Sequence, residues 1–400
     1  MSFLFYDDSP IFGGHEVMTL AGLEAVLKAS PVSVRFLASE ANSKLLDALA
    51  ALQKRHPQLH LDPLPWQSSK LEALRHRLKP ARVAHLAEIF RRHAPGLVVA
   101  IQGNIEHSSL ALLAARSAGI PSTSYIPVPH SNHEMGARFG ALRDLFSHRL
   151  FRIPDSFVTI TDEMARLLRT RGATAPIHLV YNGIDVHRFT PGPSAAARET
   201  LGLPLDSLLL GVVGRTEFRQ KQQHLLVEAV ANDPDLRTTA HLVFAGDGPD
   251  ADTLRALLRE RGVAGTLLPW CDPAPLYRAL DALVIPSRYE GLPLVMLEAL
   301  ASGTPVFASD RDGMRDFLPL HHRFRANDSQ ALHDVLRTWL QAGKPAADPA
   351  LVDRVRTHMS LDAFARAFAG TLCHLLAGPG KMPEGDASIV NFSVITFPEN

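Results

Sequence analysis

Short apolar runs alternate with stretches of helical period along most of this 400-residue chain. Such alternation marks parallel sheets whose strands are joined through helices. In the first half it predicts strands at Phe3–Tyr6, Val32–Ala38, Leu97–Gln102, Ser122–Ile126 and Ser156–Thr161. Helices are predicted between them at Gly14–Lys28, Lys44–His56, Leu71–His93 and Ser108–Ala118. Past Pro176 the pattern restarts with strands at Ile177–Tyr181, Leu208–Val213, His241–Ala245, Thr266–Leu268, Ala282–Pro286 and Pro305–Ala308. The accompanying helices are Gln222–Asn232, Ala251–Arg261, Pro273–Leu280, Leu294–Ala301 and Asp328–Ala342, with a last amphipathic helix at Leu361–Leu376. A chain of this length exceeds what one core usually holds. The expected fold class is therefore α/β, with two Rossmann-like doubly wound domains over residues 1–178 and 179–355. The final helix lies within 356–377, and residues 378–400, rich in Pro, Gly and polar residues, form a loosely attached tail. Two such domains facing across a cleft would turn the carboxyl ends of both sheets toward one ligand.

Composition narrows the function. Lys and Arg total 41 against 41 Asp and Glu, so no concentrated basic field exists to neutralise a run of nucleic-acid phosphates. The balance conceals an asymmetry: residues 1–175 hold 20 Lys and Arg against 15 Asp and Glu, and the remainder 21 against 26. Cys271 and Cys373 stand alone, which argues for a reducing compartment without a disulfide framework or a thiolate metal site. No run reaches the roughly 18 apolar residues of a membrane span. The start of the chain lacks the basic region and cleavage site of a secretory leader. A cytoplasmic placement is expected, with peripheral contact to the inner face of the cell membrane. Lys70–Arg92 could make that contact, because its seven Lys and Arg interleave with Leu71, Leu74, Leu78, Leu86 and Phe90. A solvated helix face is the competing reading.

The candidate chemistry falls at strand-to-helix junctions. Glu290-Gly291-Leu292-Pro293-Leu294-Val295-Met296-Leu297-Glu298 follows the strand ending at Pro286, with Pro293 placed as a first helical residue. Eight residues at helical rise would separate Glu290 from Glu298 by roughly 12 Å. An acid and nucleophile cleaving one bond need about 5–10 Å. The spacing suits two acceptors that hold hydroxyls at opposite ends of a long ligand, with the Leu294 and Val295 amides facing an anion between them. Such a ligand is a nucleotide sugar. Gly214-Arg215 and Lys221 follow Leu208–Val213, and two cations six residues apart can meet one diphosphate. Gly13-Gly14 opens a helix after the first strand, where backbone can approach phosphate. Gly246-Asp247-Gly248-Pro249 reads as a structural turn, and Asp310–Asp316 as a charged loop that could shape the cleft floor. His130 lies in the Pro-stiffened loop Pro127–His133, where it could bond a sugar or an acceptor. The dinucleotide fingerprint, the Walker loop, the hydrolase elbow and the usual metal-ligand spacings are absent from the sequence.

Together these residues resemble the group 1 (family 4) retaining glycosyltransferases of GT-B fold, over roughly residues 8–345. The resemblance rests on Gly13-Gly14-His15-Glu16, Tyr181-Asn182-Gly183-Ile184-Asp185 with Phe189 and Pro191, Gly214-Arg215 with Lys221, Gly246–Pro249, and the two carboxylates Glu290 and Glu298. It implies that Arg215 and Lys221 hold the donor diphosphate and that Gly14 adds a backbone N–H. It also implies that Glu298 accepts the ribose hydroxyls, Glu290 binds the transferred sugar, and His130 stands near the reacting centre. Retention would proceed without a protein nucleophile and without a metal cofactor. The implied partners are a nucleotide-sugar donor and a saccharide or lipid-linked saccharide acceptor, in bacterial lipopolysaccharide, capsule or exopolysaccharide synthesis. A sugar-nucleotide epimerase of the same architecture, or an inactive nucleotide-sugar binder, are the alternatives. The sequence departs from the family at His15, at Gln222 and Asp312 where Gly is usual, at Asp316 where Glu is common, and at Trp270-Cys271.

Overall fold

The computed structural model describes residues 2–378; the expected tail beyond Gly378 lies outside the described residues. The chain divides into two compact units. One holds residues up to His133, Ala137–Asn182 and the segment from Asp362 onward; the other holds Glu134–Gly136 and Gly183–Leu361.

The first unit is built on a seven-stranded sheet: β1 (Ser2–Asp7), β2 (Ser33–Ser39), β3 (Leu59–Leu64), β4 (Leu97–Ile101), β5 (Ser122–Tyr125), β6 (Ser156–Thr159) and β7 (Ile177–Leu179). Their spatial order is β3-β2-β1-β4-β5-β6-β7, and every pairing is parallel, with Phe3 opposite both Val34 and Leu97. Every residue of Leu97–Ile101 is buried, as a central strand covered on both faces requires. Two strands differ from the sequence reading. Leu59–Leu64 carries His60, Asp62 and Pro63, which suit a half-exposed edge and hide its strand character. Ile177–Leu179 pairs with β6 and so finishes this sheet instead of opening the next.

The single helix expected over Leu71–His93 is two helices, Glu72–Leu78 and Pro80–His93. Pro80 lacks the N–H that would continue the first helix and takes the N1 position of the second. Helices Gly140–Ser147 and Asp162–Thr170 also went unrecognised. The latter starts on Thr161, whose hydroxyl accepts the Met164 N–H at 3.2 Å. The last helix, Leu361–Ala377, returns to this unit by burying Phe364, Phe368 and Leu372. The Phe368 ring fills the space left by the absent side chain of Gly22 and meets Tyr125 edge-on at 5.3 Å.

The second unit carries β8 (Leu208–Val213), β9 (Ala240–Ala245), β10 (Gly265–Leu268), β11 (Ala282–Ile285), β12 (Val306–Ser309) and β13 (Arg323–Phe324), ordered β10-β9-β8-β11-β12-β13 and wholly parallel. Leu210, Leu242, Val284, Phe307, Leu336 and Trp339 centre its core. The chain enters and leaves it side by side: Ile184 N–H bonds Met359 C=O at 2.9 Å, and Leu361 N–H bonds Ile184 C=O at 2.8 Å. In each sheet the order of strand addition reverses between the first and fourth strands, and such switch points are where open α/β sheets bind ligands.

Candidate functional site

In the second unit the switch point lies at the ends of β8 and β11. Gly214 follows β8 with a φ of +131° that an L side chain rarely adopts, and Lys221 Cε passes 3.8 Å from where a Cβ would stand. The loop that follows is held down at several points. Thr216 Oγ1 donates to Gly246 C=O at 2.9 Å, Phe218 N–H to Asp250 Oδ2 at 2.6 Å, and Gln223 Nε2 to Arg215 C=O at 2.9 Å. Side chains at Gly246 or Gly248 would strike the backbone of Gly214 or Thr216, so that turn serves close backbone packing. The β11 loop is stitched to the β8 loop through Arg288 N–H to Gln220 C=O, 2.7 Å.

That stitching presents Lys221 to Glu290: Nζ lies 2.5 Å from Oε1, with the side chains 21% and 10% exposed. Glu290 is positioned from behind, because its own N–H donates to Asp312 Oδ2 at 2.8 Å and Gly291 C=O accepts from Gly313 N–H at 3.0 Å. The charged loop at Asp310–Asp316 thus supports Glu290. Arg215 remains 60% exposed, with Glu217 Oε2 3.7 Å from its Nε, so its guanidinium can reach an arriving anion. Gln222 and Asp312 adopt φ of +49° and +53°. Where the family resemblance leads one to expect Gly, this chain therefore holds L residues in the left-handed region, at about 1–2 kcal/mol each. A 2.8 Å bond from Gln222 Nε2 to Asn327 Oδ1 offsets part of that cost.

The helix after Gly291 begins at Leu294, and Pro293 is its N-cap, one position earlier than the sequence reading placed it. The Leu294 and Val295 amides occupy the first two helical positions, which have no intrahelical acceptor. Glu298, one turn on, accepts a 2.7 Å bond from Tyr277 Oη. Burial pushes the Glu298 carboxyl above its usual range, opposed by the Tyr277 bond and the Arg188 charge and reinforced by Asp272. Arg188 Nη2 bonds Asp272 Oδ1 at 2.7 Å, and the Phe189 ring meets Tyr277 at 5.9 Å. Gly214, Arg215, Lys221, Glu290 and Gly291 thus share one cluster, and Glu298 a second, joined by the short segment 291–297. Tyr277, Arg188 and Asp272 escaped the sequence reading; nothing local marks residues so distant in the chain as neighbours of Glu298.

In the first unit, Gly13 caps the Gly14–Ala29 helix, and its N–H donates to Glu16 Oε2 at 2.7 Å. Nothing lies within 4 Å of a Cβ position at Gly14, leaving its backbone open to a ligand. Behind it, Asp7, His15 and Glu16 bring side-chain donor atoms within 4.8 Å of one another, a group the sequence reading missed. Burial pushes Asp7 up to about 8, although His15 opposes this. Burial also disfavours the His15 imidazolium, but the Glu16 bond and the Asp7 and Glu16 charges outweigh it and raise His15. Two carboxylates and an imidazole could ligate a divalent cation. The contacts in place, Glu16 to Gly13 and His15 and Asp7 Oδ1 to Ser9 N–H, make the group a charge-balanced support for the helix start. His130 is buried in the loop after β5 and His133 is exposed. The loop is clamped by Asp144, whose Oδ1 accepts the Asn132 N–H at 2.8 Å and Oδ2 the His133 N–H at 3.0 Å.

Lys70–Arg92 does not form one basic amphipathic helix. Pro80 divides it, Leu86, Ala87 and Phe90 enter the core, and Arg75 and Arg82 each lie 3.6 Å from the buried Glu72. Among the described residues no helix is long and apolar enough to cross a membrane.

Comparison with known proteins agrees with this arrangement. The family model described as Glycosyltransferase Family 4 matches residues 13–188, and that described as Glycosyl transferases group 1 matches 194–350. A D-inositol 3-phosphate glycosyltransferase of Actinosynnema mirum is 37% identical over 195 residues, 42% of this chain and 46% of that protein. The chain thus matches just under half the length of this curated relative. Anabaena HepE, solved with UDP, superposes with a TM-score of 0.74 at 18% identity, covering 93% of this chain and 100% of the other. Sucrose-phosphate synthase of Thermosynechococcus elongatus gives 0.72 at 19% identity, over 94% and 99%. With two Rossmann-like parallel sheets and both family models matched in succession, the chain belongs to the group 1 (family 4) glycosyltransferases of GT-B fold.

Proposed function

We propose that the protein transfers a hexosyl group from a nucleoside-diphosphate sugar to a hydroxyl acceptor, with retention of anomeric configuration. The observation that carries this reading is the Lys221–Glu290 pair beside the exposed Arg215, at the switch point of the second sheet. The two cations neutralise the departing diphosphate. The Leu294 and Val295 amides add partial positive charge, so a divalent cation is not required. Glu298 receives the ribose hydroxyls and Glu290, with Gly291, the transferred sugar. By the family resemblance, Gly13 and Gly14 are assigned as backbone phosphate donors and His130 as an imidazole that acts on the transferred sugar. In this reading the leaving phosphate itself takes the acceptor proton, and no protein nucleophile intervenes.

The acceptor is a saccharide or lipid-linked saccharide of bacterial lipopolysaccharide, capsule or exopolysaccharide, met at the inner face of the cell membrane. Support for a nucleotide-sugar donor comes from HepE, solved with UDP and with UDP-glucose. The test is nucleotide release from a panel of UDP-, GDP-, ADP- and dTDP-sugars, with and without EDTA. Slow donor hydrolysis that survives EDTA supports the assignment. Isomerised sugar nucleotide without hydrolysis would establish the epimerase alternative, and binding without turnover the inactive one.

A further inference from the structure

The first unit exposes an apolar stripe that its own core does not use. Leu142 and Leu145, three apart on the Gly140–Ser147 helix, are 47% and 72% exposed, and Phe139, the left-handed residue that precedes the helix, is 60% exposed. The buried face of this helix carries Gly140, Arg143 and Ser147, so its leucines are left to the outside, and exposed apolar groups gathered in one place mark an interaction surface. Leu78, ending the helix packed against this one, is 71% exposed. Among the described residues of 70–79 and 138–149, the charged side chains classed as exposed are Lys and Arg. Lys70, Arg75, Lys79, Arg138 and Arg149 are exposed, Arg138 standing 5.0 Å over the Phe139 ring. The nearby carboxylates are engaged: Glu72 and Glu106 are buried with arginine partners, and Asp144 caps the His130 loop.

We propose that the Gly140–Ser147 helix docks the protein on an anionic lipid surface, with Phe139, Leu142 and Leu145 inserted and the basic rim meeting the headgroups. This rests on the lipid-linked acceptor reading and names the surface that serves it. The opposite face of the same helix makes the proposal functional. Arg143 bonds the buried Glu106 through Nε at 2.8 Å, and Asp144 holds Asn132 and His133. Docking therefore anchors the element that positions the loop carrying His130. It also shifts the membrane-facing role from Lys70–Arg92 as a whole to this neighbouring helix.

The experiment is co-sedimentation of the full chain with vesicles of 3:1 phosphatidylethanolamine and phosphatidylglycerol, against pure phosphatidylcholine. Wild type is expected to sediment with the anionic vesicles. Leu142→Ser/Leu145→Ser should weaken that binding at least tenfold while its melting point and donor hydrolysis stay those of wild type. Lys79→Glu/Arg138→Glu should weaken it in a salt-dependent way. Equal vesicle binding by wild type and the leucine variant would overturn the proposal. So would sedimentation velocity showing a dimer that the leucine variant dissolves, with no lipid binding by wild type. A thermal shift with UDP separates the two readings: a shift without lipid binding removes the docking surface and leaves the transferase assignment standing.

Discussion

Replacing Lys221 with Ala tests the donor site most directly. Two charges 2.5 Å apart attract by about 7 kcal/mol at an effective dielectric of about 20, before desolvation is subtracted. Glu290 is largely buried and its backbone is fixed by Asp312, so it cannot swing out to water when its cation is lost. Breaking a fully buried pair costs about 3–5 kcal/mol. Lys221 is 21% exposed and water can partly replace it, which brings the expected loss to about 1–3 kcal/mol. Catalysis should suffer separately, because a charge-assisted donor aimed at developing charge is worth about 3–4 kcal/mol, or 10²–10³ in kcat. The assay is nucleotide release under saturating donor, with melting curves on the same samples. Glu290→Gln and the double variant complete a cycle that separates the pair from the phosphate contact. A Lys221→Ala enzyme that melts lower but keeps kcat within threefold would show the cation to be a structural partner of Glu290, and the diphosphate assignment would fall.

Other outcomes follow from the same contacts. Tyr277→Phe removes a bond that favours the Glu298 carboxylate, so its pKa should rise further. Donor KM should increase several-fold, and on lowering the pH donor affinity should fall away at a higher pH than in wild type, with kcat retained; an unchanged KM profile would disconnect Glu298 from the donor. Asp7 keeps its proton to about pH 8 in the folded state, while the unfolded chain loses it near 4. Folding stability should therefore decline between about pH 4 and 8, and the raised His15 adds loss in the same direction as pH rises through its folded pKa. Melting curves from pH 5 to 8.5 should slope downward in wild type and flatten in Asp7→Asn; parallel slopes would refute the assignment. Gly248→Ala forces a methyl group against the Thr216 backbone and should cost about 3 kcal/mol or more, read as a lowered denaturation midpoint. Trp270, 76% exposed beside Asp272, should report nucleotide binding by fluorescence quenching, absent in Trp270→Phe.

Much of this architecture was legible in the chain because parallel strands buried on both faces must be runs of apolar residues. Leu97–Ile101, Leu208–Val213 and Ala282–Ile285 announce themselves in this way. The placing of Arg215, Lys221 and Glu290 on loops after strands was legible for a related reason, since an apolar run that stops marks where a loop begins, and Glu298 falls within the helix that follows. Edge strand β3 was hidden because exposure lets it carry His, Asp and Pro, and the break at Pro80 because periodicity continued through it. The pairing of Tyr277 with Glu298, of Asp312 with the Glu290 amide, and of Asp7 with His15 and Glu16 came from folding alone. Local pattern records which side of an element is wet or dry. It carries no information about which distant polar group will be brought within 3 Å, since that depends on the order in which parallel strands are laid side by side.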